Sequence, residues 1–233
     1  MKGTIDMNTT KYELVQVGDE IFNPFRGVQG NSHTFVASDN IFFASDAKQI
    51  VSYDPSILEY GKAQTILADL SPSLSEILSF SVTDDLIAVA QNESVKVGQF
   101  STTYNSYLKV FSAEDGSEVS SVLIRSSNQQ DSFEDPQTQF LSSGNVALFD
   151  RNNGSDTSSL GTAPILHIVN PETGAFESVS LSGHDVLNTN AAEIVELANG
   201  NIVVAYLLYE NAPSQLKASI VSQDGQILIE DAD

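Results

Sequence analysis

The sequence predicts an all-β fold, in which a unit of four antiparallel strands is repeated about four times along the chain. Short segments rich in Val, Ile, Phe, Leu and Thr, which strands prefer, are separated by pairs or triplets of Asn, Asp and Gly. These turn residues tolerate the positive φ angles that tight hairpins require. The same order of strand, turn, strand, polar loop, strand, Asp-Gly turn and strand then recurs.

The fourth unit, approximately residues 191–230, shows the pattern most clearly, in "IVELANGNIVVAY" followed by "KASIVSQDGQILIE". The other units are approximately residues 33–70, 78–124 and 137–181. The first hairpins of the four units turn at Asp39-Asn40, Asp84-Asp85, Ser143-Gly144-Asn145 and Asn199-Gly200-Asn201. The second hairpins of units two to four turn at Asp115-Gly116, Pro171-Glu172-Thr173-Gly174 and Asp224-Gly225, and that of the first has a longer turn around Pro55 and Gly61.

The apolar pattern differs between strands of one unit. "NVALF" and "NIVVAYLLY" are continuously apolar, as in strands buried on both faces, whereas "SEVSSVLI" and "FESVSL" alternate with Ser and Glu. Each unit is therefore predicted to have a buried second strand and a solvated fourth strand. Repeated four-stranded units of ~40–50 residues are typical of β-propeller blades, so we predict one propeller-like domain over residues 1–233 with about four blades.

Two segments stand outside the repeat. "KYELVQVGDEIF", residues 11–22, alternates like a strand but precedes the first unit. Two interpretations stay open: it is the outer strand of a further blade, which would make the chain a fragment of a larger propeller, or it covers an exposed sheet edge. Residues 71–80, "SPSLSEILSF", suggest a short helical turn that joins two units.

The fourth unit resembles the repeats of large exported bacterial proteins of the RTX-adhesin type. The residues that carry the resemblance are Leu197, Asn199, Gly200, Val203, Val204, Tyr206, Asp224 and Gly225. The chain departs from that pattern in two ways: Tyr206 stands where those repeats usually have Trp, and glycine-rich nonapeptide calcium repeats are missing. The resemblance implies an extracellular or cell-surface location; since no apolar signal segment occurs in "MKGTIDMNTTKYE", a cytoplasmic location is the alternative.

The charge of the chain limits its partners. A formal net charge of −21 repels nucleic acid and anionic membrane surfaces, and the longest apolar run, "IVVAYLLY", is too short to insert into a membrane. Such a surface suits either high-salt surroundings or contact with divalent cations. Because the chain has no cysteine, disulfides, thiolate metal sites and cysteine nucleophiles are excluded.

The best local candidate for a metal site is "FDRNNGSDTSSLG", residues 149–161. Asp150, Asn152 and Asp156 place side-chain oxygens, which calcium prefers, close together in sequence, and Gly154 permits a bend. The loop differs from the usual calcium pattern, because no acid stands at position 154 and no glutamate closes the loop. We therefore keep two interpretations, a weak calcium site and a solvated loop between strands.

Other polar residues give weaker signals. The acidic stretch 131–137 reads as a solvated connection ahead of a strand, and the tyrosines as packing residues that could alternatively line a glycan or peptide groove. His33, His167 and His184 fall in different structural places, which argues against a shared site. Glu193 and Glu196 are the carboxylates of the predicted inner strands, and nucleotide-binding or nucleophile-elbow motifs are missing. No catalytic or cofactor-binding residues are predicted.

The leading hypothesis for function is a non-enzymatic binding or scaffold module of an exported or surface bacterial protein, with a protein or glycan ligand. The first alternative is a propeller hydrolase or lactonase with a calcium site. The second is an intracellular protein-interaction propeller, which the lack of a signal segment favours and the lack of a Trp-Asp dipeptide does not. The ligand and the oligomeric state are left open, because one fold hosts many functions.

Overall fold

The computed structural model shows an all-β chain. Among the residues that it describes, helices are absent, so none is long and apolar enough to cross a membrane. The described residues are 3–7, 10–14, 34–37, 40–45, 49–53, 64–69, 75–99, 101–127, 133, 136–150, 164–181, 189–208 and 215–232.

Four antiparallel sheets of four strands each follow one another along the chain, as predicted. Sheet 1 consists of β3 (Thr34–Ala37), β4 (Asn40–Ser45), β5 (Gln49–Tyr53) and β6 (Gln64–Asp69). Sheet 2 consists of β7 (Ser75–Val82), β8 (Leu86–Lys96), β9 (Thr102–Ser112) and β10 (Glu118–Ser127). Sheet 3 consists of β11 (Gln137–Phe140), β12 (Val146–Asp150), β13 (Ile165–Val169) and β14 (Phe176–Ser180). Sheet 4 consists of β15 (Thr189–Glu196), β16 (Ile202–Leu208), β17 (Gln215–Val221) and β18 (Ile227–Ala232).

A two-stranded hairpin precedes these sheets. It pairs β1 (Gly3–Met7) with β2 (Thr10–Leu14), from Gly3 opposite Leu14 to Met7 opposite Thr10. The extra strand predicted over residues 11–22 therefore corresponds to β2 in its first four residues, and residues 15–22 lie outside the described part of the chain. The pairing with β1 was not predicted, because "GTIDM" is a short segment outside the repeated pattern.

The tight turns have the chemistry that the sequence indicates. Gly144, Gly200 and Gly225 have φ angles of 84°, 83° and 79°, which only glycine adopts without strain. The amide of each donates a hydrogen bond to the carbonyl three residues earlier, over 2.8–3.0 Å. These turns set the register of the hairpins, so that the apolar residues of each strand reach the intended face.

The sheets pack face to face in chain order through three apolar clusters. Ile50 of sheet 1 packs with Phe80 and Val89 of sheet 2. The other face of sheet 2 packs on sheet 3, and the other face of sheet 3 on sheet 4. The first strands also lie side by side, since β3 contacts β7, β7 contacts β11 and β11 contacts β15. Successive blades with neighbouring inner strands form a propeller-type arrangement; the described residues of β3 and β15 make no extended contact that would close a ring.

Burial changes across sheets 2 to 4 in the predicted direction. All five residues of β12 are buried, whereas β14 at the outer edge has three exposed and two half-buried residues. In β16, Ile202, Val204 and Tyr206 are fully buried. Second strands form the core because a neighbouring sheet covers them, and fourth strands face solvent at the rim.

The helical turn predicted for residues 71–80 is wrong, since Ser75–Val82 is the strand β7. A register shift between Ile77 and Ser79 inserts one extra residue into the pairing with β8. Ile77 and Phe80, three residues apart, consequently enter the same cluster. A spacing of three suggests a helix when it is read without the bulge.

Candidate functional site

A cleft of about 310 Å³ opens at the rim between sheets 3 and 4. Three turns form its walls: the β11–β12 turn, the β13–β14 turn with the start of β14, and the β17–β18 turn. Five of the eight lining residues carry amide or carboxylate side chains. The lining residues are Asn145, Ile168, Asn170, Ala175, Phe176, Glu177, Gln223 and Asp224.

The β13–β14 turn is fixed by its own hydrogen bonds. The Oδ1 atom of Asn170 accepts hydrogen bonds from the amides of Glu172 (3.0 Å) and Thr173 (2.9 Å). Asn side chains form such turns readily, and here the turn orients Phe176, whose ring remains 39% exposed. The ring contacts the buried His167 edge-on, with 6.1 Å between centroids. The ring therefore lies on the face of sheet 3 that packs on sheet 2, like its cross-strand partner Val169, and not on the face that packs on sheet 4.

The β17–β18 turn closely approaches the start of β14. A Cβ atom added at Gly225 would lie 2.8 Å from Oε2 of Glu177. On the same turn, Asp224 accepts hydrogen bonds from the hydroxyl of Ser222 and, at 3.3 Å, from the side-chain amide of Gln226. Glycine at position 225 therefore serves both the turn conformation and the close approach of two cleft walls.

The two sheets are linked beside the cleft by the Glu196 carboxylate. Its oxygens accept hydrogen bonds from the amide (2.6 Å) and hydroxyl (2.7 Å) of Ser142, and from Nε2 of Gln223 (3.1 Å). Hydrogen bonding from Ser142 holds the pKa of Glu196 below its ordinary value. A carboxylate with a lowered pKa is poorly suited to general acid–base work near neutral pH. The other carboxylate singled out in the inner strands, Glu193, is exposed.

The three residues of the predicted calcium site have different outcomes. Asp150 is the last residue of β12 and is fully buried, where its Oδ2 atom pairs with Nη2 of Arg125 from β10. Asn152 and Asp156 lie outside the described residues, as do residues 151–163 as a whole. The calcium site stays a prediction. In the described part of the chain, His, Asp and Glu residues form no group of three that could hold a metal ion.

His167 lies in the interface between sheets 2 and 3 and is 4% exposed. Its Nδ1 atom is 2.8 Å from the hydroxyl of Ser178, and Nε2 finds no hydrogen-bond partner. Burial, with a smaller contribution from the positive charge of Arg125, lowers the pKa of His167 to about 3. The imidazole is therefore neutral at physiological pH and is a structural residue of the interface. His33 and His184 lie outside the described residues, so the predicted absence of a shared histidine site stays a prediction.

Tyr206 packs in the core between sheets 3 and 4. Its ring stacks on Phe149 with 6.4 Å between centroids, and its hydroxyl lies 3.3 Å from the Leu181 carbonyl and 3.2 Å from the Ser219 hydroxyl. The packing interpretation of this tyrosine is thus confirmed. Tyr104 and Tyr107 are half-buried on β9.

Sequence reasoning missed the residues that matter most at these interfaces. Arg125 of sheet 2 pairs with Asp150 of sheet 3, Ser142 links sheet 3 to Glu196 of sheet 4, and Gln223 binds Glu196 within sheet 4. Phe176 was read only as part of an alternating outer strand. The scarcity of basic residues was a usable signal for Arg125, because a rare cation in a strand of an acidic chain often has a fixed partner.

A scan against protein-family models and a search of curated proteins find no match for this chain. Among solved structures it is similar to YjhT, with 12% identity, a TM-score of 0.46, and 79% of this chain and 63% of YjhT covered. It is also similar to a protein of unknown function from Dyadobacter fermentans DSM 18053, with 11% identity, a TM-score of 0.39, and 89% and 76% covered. The similarity to the tricorn protease has 12% identity, a TM-score of 0.34, and 82% and 20% covered. The chain thus spans less than two thirds of YjhT and a fifth of the tricorn protease, and its fold is established by the four sheets described above.

Proposed function

We propose that this chain is a non-enzymatic binding module of an exported or surface bacterial protein, and that the cleft between sheets 3 and 4 takes its ligand. The observation that carries the proposal is the cleft itself. It has the volume of a small-ligand site, stands on hydrogen-bonded turns, and is lined mainly by residues with amide and carboxylate groups. The resemblance of the fourth sheet's sequence to repeats of RTX-adhesin-type proteins supports the exported setting.

A neutral glycan is the ligand class that this chemistry favours. Sugar hydroxyls need many short-range donors and acceptors, which Asn145, Gln223 and Asp224 supply. The net charge of −21 repels anionic sugars. A basic peptide is the competing occupant, because carboxylates also line the cleft.

The enzymatic alternative has less support in the described part of the chain. Catalytic carboxylates need a pKa raised towards neutrality or a close acidic partner. Glu196 has a lowered pKa, and Asp150 is paired with Arg125. A hydrolase would require its catalytic groups elsewhere in the chain.

A panel of immobilised neutral oligosaccharides, probed with the purified chain, tests the proposal. We expect binding to at least one glycan, and a loss of about 5-fold in affinity in Asn145→Ala, because the loss of one hydrogen bond costs about 1 kcal/mol. Val97→Ala is the matched control: Val97 is 63% exposed, lies outside the cleft, and its replacement should leave affinity unchanged. No glycan binding, or binding that Asn145→Ala leaves intact, contradicts the proposal. Binding to basic peptides instead would assign a protein ligand, and shortening of a bound glycan would identify an enzyme.

The predicted calcium site has a separate test. Thermal unfolding of the chain in millimolar calcium is compared with unfolding in excess EDTA. A ligand that binds only the folded state raises the midpoint, by an amount worth about 2.7 kcal/mol at a hundredfold excess over its dissociation constant. A rise that Asp156→Ala abolishes would establish the calcium site, and equal midpoints would assign residues 149–161 to a solvated loop.

A further inference from the structure

The face of sheet 4 that points away from sheet 3 has the residue pattern of an inter-sheet interface. It is formed by the cross-strand pairs Val203–Ile220 and Ala205–Ala218 of β16 and β17. These alternate with Ile202, Val204, Tyr206 and Val221, which are fully buried against sheet 3. We call this second face the outward face of sheet 4.

The pairs at the same positions of sheets 2 and 3 are covered by the next sheet. In sheet 2 they are Ala88–Val110 and Ala90–Leu108, and in sheet 3 they are Ala147–Ile168 and Phe149–Leu166. All eight residues belong to inter-sheet clusters and are at most 7% exposed.

The outward face of sheet 4 is uncovered and apolar on its two central strands, with the exposed Glu193 of β15 opposite Ala205. Its four residues are only half-buried, and on the flanking strands Val195 is 53% and Ile229 is 46% exposed. An apolar face of this extent at the end of a stack of sheets marks an interaction site.

Sheets 2, 3 and 4 show which residues cover such a face in this fold. Each sheet presents to the sheet before it the first apolar residues after its hairpin turn: Ile87 and Val89 in sheet 2, Val146 and Leu148 in sheet 3, Ile202 and Val204 in sheet 4. In sheet 1, the same register positions hold the pairs Ile41–Tyr53 and Phe43–Val51. By the alternation of the strands, these pairs belong to the face opposite to that of Ile50. Apolar and aromatic residue types thus occupy, in sheet 1, the register positions that cover the preceding sheet in sheets 2 to 4.

We propose that the outward face of sheet 4 is an interface with a second copy of this chain, and that sheet 1 of that copy covers it. The exposure of Val195 and Ile229 shows that the chain's own sheet 1 does not cover the face. The same contact made twice, head to tail, closes two four-bladed chains into a two-fold symmetric ring of eight blades, within the usual range of four to eight. This inference is independent of the proposed ligand of the cleft.

Light scattering after size-exclusion chromatography tests the proposal on the whole chain. We expect a mass twice that of the chain, and a dimer that strengthens as salt rises, because each copy has a net charge of −21. Ile220→Lys should raise the dimer dissociation constant more than about 100-fold, because it places a charge in an apolar interface. Val119→Lys on β10, where Val119 is 57% exposed, is the matched control and should remain dimeric. A cooperative thermal unfolding transition of the Ile220→Lys monomer, at a midpoint lowered by the loss of the dimer contact, would show that the variant still folds.

Cross-linking identifies the two faces. The chain has no cysteine, so Ala205→Cys in one preparation and Phe43→Cys in another can be mixed and joined only to each other or to themselves by a short bismaleimide. The proposal predicts that the mixed pair forms covalent dimers faster than either preparation alone. A monomer at every salt concentration, an open series of larger oligomers, a dimer that Ile220→Lys leaves intact, or no preference for the mixed pair would overturn the proposal.

Discussion

The two inter-sheet interfaces on either side of sheet 3 are built differently. Between sheets 2 and 3, the apolar cluster shares the buried space with the Arg125–Asp150 ion pair and the neutral His167. Between sheets 3 and 4, the cluster is apolar except for hydroxyls that bond within it, those of Tyr206 and Ser219. Charged contacts there, such as Glu196 with Ser142, lie at the rim beside the cleft.

The difference indicates separate roles. Buried charges are costly unless they are paired. The first interface, between sheets 2 and 3, therefore requires opposite charges on its two sheets, and its stability depends on their protonation. The second depends on shape and volume and opens at its rim into the cleft. We therefore assign ligand binding to the second interface. Substitutions that change the stability of one interface and leave the other unchanged test this comparison.

The largest effect is expected from Asp150→Ala. It leaves the Arg125 guanidinium buried without the Asp150 carboxylate and should lower the free energy of unfolding by about 3–5 kcal/mol. Urea unfolding measures this, with Glu118→Ala as control, because Glu118 pairs with Lys109 over 3.3 Å at the surface and should cost at most about 1 kcal/mol. In the double variant Asp150→Leu/Arg125→Met most of the stability should return. Additive costs would show that the pair is not coupled.

Acid should weaken the first interface through His167. The unfolded chain protonates this imidazole near pH 6.5, but the folded chain only near a pKa of about 3, so the unfolded state binds more protons between these values. The free energy of unfolding should therefore fall as pH falls, by about 2 kcal/mol from this group between pH 7 and pH 5. His167→Gln should remove that part of the dependence, as seen in urea unfolding at both pH values. An unchanged pH dependence in the variant would contradict the buried neutral state.

Tyr206→Phe should cost about 1 kcal/mol, because it removes one hydroxyl from a buried site whose other polar groups stay satisfied. Ser219 still donates to the Leu181 carbonyl, over 2.9 Å. Thermal unfolding measures the loss. A cost near that of Asp150→Ala would mean that the second interface also depends on a polar network.

The smallest effect is expected from Glu196→Gln. The Glu196 carboxylate is at the rim and accessible to solvent, so its hydrogen bonds to Ser142 and Gln223 should contribute less than about 1 kcal/mol. Because its pKa is lowered on folding, that contribution is present at neutral pH and is lost as pH falls through the folded-state pKa. Glu193→Gln on the same strand, an exposed position, is the control for thermal unfolding. A larger loss of stability than in Tyr206→Phe would contradict this ranking, because it would show that the Glu196 hydrogen bonds stabilise the interface more than the buried hydroxyl does.

The sequence predicts the four sheets well because the information is local. Turn residues such as Asn199-Gly200-Asn201 and the continuously apolar second strands specify hairpins without knowledge of the rest of the chain. The β7 strand was misread because one bulge changes the apolar spacing, and a bulge has no reliable signature in sequence.

The interfaces were less predictable, because they depend on which sheet packs on which. Asp150 fits a calcium-loop pattern when it is read with its neighbours in sequence, but its contact is with Arg125, which is 25 residues away and in another sheet. The cleft likewise joins turns from residues 145 to 224, which come together only when sheet 4 packs on sheet 3.

Hydrogen exchange of backbone amides, with and without the best-binding neutral glycan of the panel, tests the central claim most directly. The account predicts that protection rises in the three turns that form the cleft, around Asn145, Asn170 to Glu177, and Gln223 to Asp224, with little change between sheets 2 and 3. Protection that rises elsewhere and not in these turns would contradict the assignment of the cleft as the binding site.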